Sequence, residues 1–403
     1  MSEIDKLLDQ HGTAIKEVYL DWENGSKLDK EVLDAMIPFY LDRKFGNPAI
    51  THRFGWETYD FYLKAKKTIA KPLNVDPQSL ALTHSFTESN NLAIKGIVKA
   101  NKKKKKIIVS EVEHLSVIHS AKSLFEQGIK VDIIPVSNDG VVNLDLLRER
   151  IDDDTLLVSI QAVNHEIGTI QPVKEAFEIV KDKNEEILFH TDATSAFGRL
   201  PLDYGKLEVD LATISSDRIL GPKGIAGLYV KEGTKIKSLY EGQLSVEVLS
   251  PDVENSPLLA GFVKAVEIHF DQFEKIKDHT SRLRDKLLYG FQTTIPRTNI
   301  NGPQGINRAP DNVNISFLGC EGEALTVESS MKGIYASSGS ACTSRVLMPS
   351  HILTAIGRKP EEAHGSLLMK ITRLNTEEEI KYVLETMPKV IERIRSITGG
   401  IEL

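Results

Sequence analysis

Short apolar runs alternate with stretches of helical spacing through the first two thirds of the chain. The runs "SLALTHS", "KKIIVS", "VDIIPVS", "TLLVSIQAV", "EILFHTD" and "VDLATISS" end in polar clusters, which predicts strands buried on both faces. Between them, "TESNNLAIKGIVKANK", "SVIHSAKSLFEQGI" and "VKEAFEIVKDKN" carry apolar residues three and four apart. Strand, helix, strand with short connections predicts an α/β fold, a parallel or mixed sheet with helices on both faces. Ligands of such sheets sit beyond the carboxyl ends of the strands. The polar clusters fall there: Thr87-Glu88-Ser89, Glu113-His114, Asn164-His165-Glu166, Asp192 and Ser215 to Arg218.

The pattern changes after residue 260. "LAGFVKAVEIHFDQFEKIKDHTSRLRDKLLYGFQTTI" predicts one long helix ending before Pro296. A strand "NVNISFLG", a helix "GEALTVESSMK", a loop around Cys342 and a C-terminal helix from "TEEEI" follow. This predicts a large domain over 16–260. Residues 1–15 and 261–403 would form a smaller α+β domain carrying the Cys342 loop. A chain of 403 residues is long enough for more than one core.

Composition narrows the function classes. With 41% hydrophobic and 27% charged residues the chain reads as globular. A net charge of −7 and a pI near 5.9 give no global basic field to attract nucleic acid or an anionic membrane. The first residues carry charges inside every apolar stretch, and no later segment reaches the ~18 apolar residues of a span. The run Lys102 to Lys106 reads as a solvated loop. Two cysteines make no disulfide framework, and together these features point to a reducing cytoplasm.

Three stretches carry candidate chemistry. Asp192, after "EILF", is placed to pair with a cation or a protonated ring nitrogen, or to cap the next helix. Ser85 and Glu88 have capping-box spacing, while the helix start beside them could also hold an anion. Cys342 sits among Ser338, Gly339, Ser340, Ala341, Thr343 and Ser344, where a thiol is uncrowded and can act as nucleophile or metal ligand. Cys320, at a strand end, reads as a buried core residue.

The motifs "TESNNLAIKG", "EVEHLSVI", "NHEIGTIQPV", "HTDAT", "GPKGIAGLYV", "ASSGSACTS" and "AHGS" run in order along nearly the whole chain. Together they resemble the cysteine desulfurases of the NifS/IscS type, within the class V aminotransferases. The resemblance implies a fold-type-I pyridoxal-phosphate transferase, similar to aspartate aminotransferase. It would have a mixed seven-stranded sheet in the large domain and form a homodimer. It also implies sulfur trafficking toward iron–sulfur cluster assembly or another sulfur acceptor. By the same resemblance, Cys342 attacks the substrate sulfur and carries the persulfide. Thr87 and Ser215 hold the cofactor phosphate, His114 stacks on its ring, and Asp192 pairs with the ring nitrogen. Phe86, His165 and Ser195 complete the cofactor-binding set.

Other positions depart from the resemblance. The lysine that forms the Schiff base is Arg218, and its histidine neighbour is Asp217. His165 and Ser195 stand for an asparagine and a glutamine, and Leu368 stands for the arginine that holds the substrate carboxylate. The stretches that serve the neighbouring subunit read Glu241-Gly242-Gln243 and Ser250-Pro251-Asp252-Val253, and the segment near the start reads Trp22-Glu23-Asn24. A guanidinium keeps its proton and cannot condense with an aldehyde. The departures therefore predict that pyridoxal phosphate is held without a covalent link, or not at all. They favour a degenerate desulfurase whose Cys342 carries a persulfide or ligates a cluster shared with a scaffold partner. The alternative is an active desulfurase, converting L-cysteine to L-alanine and persulfide, with non-covalent cofactor. His114, His165 and Asp192 also form a plausible divalent metal set.

Overall fold

A computed structural model describes residues 16–42, 44–243, 245–338 and 349–397. Cys342, both as catalytic thiol and as metal ligand, lies outside the described residues.

The chain enters through β1 (Val18–Tyr19), then α1 (Lys30–Leu41) and α2 (Arg53–Ala70). The first half then lays down β2 (Leu80–Thr83), α3 (Phe86–Asn91), β3 (Lys106–Ser110), α4 (Leu115–Lys122) and β4 (Lys130–Ile134). Next come α5 (Leu144–Arg150), β5 (Thr155–Ser159), α6 (Val173–Lys183), β6 (Leu188–Asp192), β7 (Leu211–Ser215) and β8 (Ala226–Val230). These strands form one seven-stranded sheet in the order β2-β8-β7-β6-β5-β3-β4. It is mixed, because β8 runs antiparallel to both of its neighbours while β7, β6, β5, β3 and β4 pair in parallel. Every residue of β3, β5 and β7 is buried, which explains why these segments read as continuous apolar runs.

The predicted long helix is two helices, α7 (Ser256–Asp271) and α8 (Phe273–Thr294). They break at Gln272, whose φ and ψ of −116° and 19° leave the helical range. The break has a packing reason. Leu259, Phe262 and Val266 of α7 belong to the core under the large sheet, whereas Leu283, Leu287 and Phe291 of α8 belong to a second core. That second core covers a four-stranded sheet built from β9 (Thr298–Ile300), β10 (Asn312–Phe317), β12 (Ser337–Ser338) and β13 (Ser366–Lys370). It also takes in α10 (Glu377–Ile397), which follows α9 (Gly322–Ser330) in the helix count. The short β11 (Ile334–Tyr335) pairs in parallel with β1, so Val18 and Leu20 of the N-terminal segment join the second core.

Two local expectations resolve here. Cys320 is buried in the second core, and burial pushes its thiol pKa up. The lysine run is solvated up to Lys105, but not at its last residue. Lys106 is buried in β3, with its Nζ 3.0 Å from Asp132 and 2.8 Å from Asp152. Among the described residues, no helix is long and apolar enough to cross a membrane.

Candidate functional site

The carboxyl ends of β5, β6 and β7 meet the starts of α3 and α4 at one cavity of about 220 Å³. Phe86, His114, His165, Asp192 and Ser195 line it, together with Arg218. Each is placed by a local device. Ser85 caps α3 by accepting from the Glu88 amide at 3.1 Å, which sets Phe86 at the helix start. His114 caps α4: its Nδ1 accepts from the Ser116 amide at 3.1 Å, which puts the ring proton on Nε2. Asp192 ends β6, where its Oδ1 accepts from the Thr194 amide at 2.9 Å.

The floor of the cavity is a polar chain. Buried Asn90 donates to Asp192 Oδ2 and to the Ser116 hydroxyl, both at 2.8 Å. The Ser116 hydroxyl stands 2.7 Å from His114 Nδ1. His114 meets Phe86 on one side and His165 on the other, edge to face, at centroid distances of 5.1 and 4.8 Å. Burial lowers the pKa of His114 and takes that of His165 well below the usual imidazole value. Nearby Arg218 adds to both shifts, and Asp192 opposes the first. Both rings are therefore neutral at pH 7. His165 Nδ1 and the Thr194 hydroxyl are buried without a hydrogen-bond partner.

Arg218 closes one side of the cavity and stacks over the Phe86 ring at 5.3 Å. Its main partner is Glu23, not Asp217 or Asp192. Its Nη1 lies 2.6 Å from Glu23 Oε1 and donates to the Glu23 carbonyl at 2.6 Å, while Asp217 stands 3.9 Å from Nε. Both side chains of the pair are 7% exposed. Burial alone would lower the Arg218 pKa, but the Glu23 and Asp217 charges outweigh it and the net shift is upward. Glu23 is shared with a second buried cation. Lys370, at the end of β13, is 3.5 Å from Glu23 Oε2 and 3.9 Å from Asp311.

The comparisons with known proteins agree on the family. Residues 18–383 match the family described as aminotransferase class-V. The chain belongs to that family. Cysteine desulfurase IscS from Clostridium botulinum is 40% identical over 95% of this chain and 96% of its own length. Cysteine desulfurase IscS 1 from Archaeoglobus fulgidus is 41% identical over 94% of this chain and 98% of its own. A solved NifS-like protein superposes with a TM-score of 0.88 at 34% identity, covering 94% of this chain and all of the other. The fold-type-I transferase architecture expected from the motifs is thus the observed one.

Two other predicted residues of this class-V aminotransferase lie off the cavity wall. Thr87 is exposed on α3, where its carbonyl accepts from Asn91. Ser215 is buried at the end of β7, and its hydroxyl donates to the Asp217 carboxylate. Leu368 packs inside β13, opposite Asn314 and Ser337, and offers no ionic contact. The metal reading of His114, His165 and Asp192 does not stand. Among the described residues, no group of three His, Cys, Asp or Glu side chains could hold a metal ion. The two imidazoles face each other edge to face instead of converging on one point.

Sequence reasoning missed Asn90, Ser116 and Lys370, and it named Glu23 only as a departure. Lys370 carried a signal, since it ends the apolar run "SLLM", where a charge must be buried with partners. Glu23 carried none, because its partner lies 195 residues away.

Proposed function

We propose that this protein mobilises sulfur from L-cysteine, as an active cysteine desulfurase that holds pyridoxal phosphate without a covalent link and passes the sulfur to Cys342. The names of its relatives favour this active reading over the degenerate one that the departures alone put first. The observation that carries it is the convergence of Asp192, His114 and the unpartnered Nδ1 of His165 on one cavity.

Class-V aminotransferases depend on pyridoxal phosphate, and the residues present fit its ring. Asp192 offers a carboxylate to a protonated ring nitrogen, and His114 and Phe86 offer aromatic walls. Bound there, the cofactor would supply an electron sink for the substrate's α-carbon. The phosphate end is less favourable, because the Ser215 hydroxyl is taken by the Asp217 carboxylate, an anion that repels phosphate.

The chain's own residues divide the remaining work. Arg218 stays charged, and its Nε has no hydrogen-bond partner, so it can take the substrate carboxylate in place of the arginine that Leu368 lacks. His165 lines the cavity, and its buried Nδ1 is free to hydrogen-bond a ligand there. Ser116 and Asn90 hold His114 and Asp192 in register. A homodimer fits the apolar residues left exposed along α1 and α2, among them Leu33, Leu41, Phe54 and Trp56. A scaffold protein of iron–sulfur assembly, or another acceptor, would receive the sulfur in a reducing cytoplasm.

The degenerate reading retains one specific observation in its favour. The Arg218–Glu23 pair puts a fixed charge pair where the family needs an amine. Alanine formation from L-cysteine with added pyridoxal phosphate separates the two. The active reading expects turnover in the wild type, and Cys342→Ser should abolish the protein-bound persulfide. Persulfide on Cys342 from a donor, with no alanine formed, would instead establish the degenerate reading.

A further inference from the structure

A second cavity, of about 360 Å³, lies behind Arg218 where the two cores meet. Arg199, after β6, and Arg218, after β7, reach it from the large sheet. Lys277 of α8 and Arg373, after β13, reach it from the other core. His269 of α7, Asp311, just before β10, and the hydroxyls of Thr280 and Thr372 add to the polar lining. Four cations line the space with one carboxylate, Asp311, which pairs with Arg199 Nε. The carboxylates that pair with Arg218 and Arg373, Glu23 and Asp29, do not line it. Lys277 pairs with Glu274, whose side chain is 71% exposed. A cleft lined mostly by one sign of charge concentrates the opposite sign.

The unsatisfied groups point the same way. Arg199 Nη1 and Arg218 Nε are buried donors without a hydrogen-bond partner. Two buried acceptors also lack a hydrogen bond, His269 Nδ1 and Asp311 Oδ1, the latter 3.9 Å from Lys370 Nζ. His269 spends its ring proton on Nε2, which lies 2.7 Å from the Gly198 carbonyl, so Nδ1 is left as a lone pair. Lone donors call for an anion, and lone acceptors call for a hydroxyl on the same ligand.

We propose that this junction cavity is a binding site for an oxyanion that keeps a proton, with inorganic phosphate as its simplest member. Its charged oxygens meet Arg199 and Lys277, and its hydroxyl donates to His269 Nδ1. The site is separate from the cofactor reading, because Lys277 lines this cavity and not the first. Arg218 lines both.

The test is calorimetric titration of the full chain with inorganic phosphate and, separately, sulfate at equal ionic strength and neutral pH. Sulfate matches phosphate in shape but has no hydroxyl to donate. Saturable phosphate binding is expected, with sulfate weaker by roughly tenfold, the value of one lost buried hydrogen bond. Lys277→Ala, a partly exposed position that should not disturb folding, is expected to weaken phosphate by a similar factor. Arg199→Met should weaken it more. No saturable phosphate binding at millimolar concentration would overturn the proposal. So would sulfate binding equal to phosphate, or phosphate binding unchanged in Lys277→Ala, which would place the anion elsewhere.

Discussion

Glu23→Gln is expected to destabilise the protein by about 3–5 kcal/mol, the usual cost of removing one partner of a buried ion pair. Glu23 serves two buried cations, Arg218 and Lys370. They respond differently to its loss. Lys370 can shed its proton: burial already lowers its pKa, opposed by Asp311 and Glu23. Arg218 cannot, and its charge would stay buried without its closest carboxylate, leaving Asp217 at 3.9 Å. Chemical denaturation of the two proteins at pH 7 measures the difference. The pH profile adds a check. Burial alone would raise the Glu23 pKa, but Arg218 and then Lys370 outweigh it and the net shift is downward. A carboxylate with a depressed folded pKa contributes stability above its unfolded value of about 4.5. That contribution fades as pH falls through the folded value. The variant should therefore lie closest to wild type at acid pH, and a constant gap down to pH 3 would count against the pair.

The second large effect is gain of a covalent link. Arg218→Lys alone places an amine at the strand end but leaves it beside Glu23, which holds it as a charged ammonium. An ammonium is no nucleophile. The double variant Arg218→Lys with Glu23→Gln frees the amine to lose its proton in a buried site. Incubation with pyridoxal phosphate, borohydride reduction and peptide mass should find near-complete labelling at position 218 in the double variant. Arg218→Lys should label only slightly, and the single Glu23→Gln variant not at all. The double variant should also be more stable than Glu23→Gln by at least about 1 kcal/mol, since a lysine can neutralise where an arginine cannot. Equal labelling of Arg218→Lys with and without Glu23 would show that the carboxylate does not govern the amine.

The sheet was legible because β3, β5 and β7 are buried on both faces and the apolar runs are short and sharply bounded, although the edge strand β4 is only partly buried. Ser159, Asp192 and Ser215 mark the ends of β5, β6 and β7, and the residues of the cavity follow at once. The join between α7 and α8 was not legible. Gln272 breaks no helical spacing, and the break is imposed by two cores that take different faces of the helix pair. In the site, Phe86, His114, His165, Asp192 and Ser195 could be read from motifs because each sits within a few residues of a strand end or helix start. The charge network could not. Glu23, Arg218, Asp311 and Lys370 come from four distant segments, and only the packing of the second core on the large sheet brings them together. The closing capping-box reading was half right: Ser85 caps α3, but Glu88 turns to the His84 amide at 2.9 Å.

The account depends on Arg218 being unable to offer an amine, so that any pyridoxal phosphate is held by contacts alone. The most direct test is borohydride reduction of the wild type saturated with pyridoxal phosphate, followed by gel filtration and intact mass. The account predicts an unchanged mass, with no pyridoxyl group retained by the protein. A stoichiometric pyridoxyl group on any one lysine, Lys223 or Lys370 included, would contradict it.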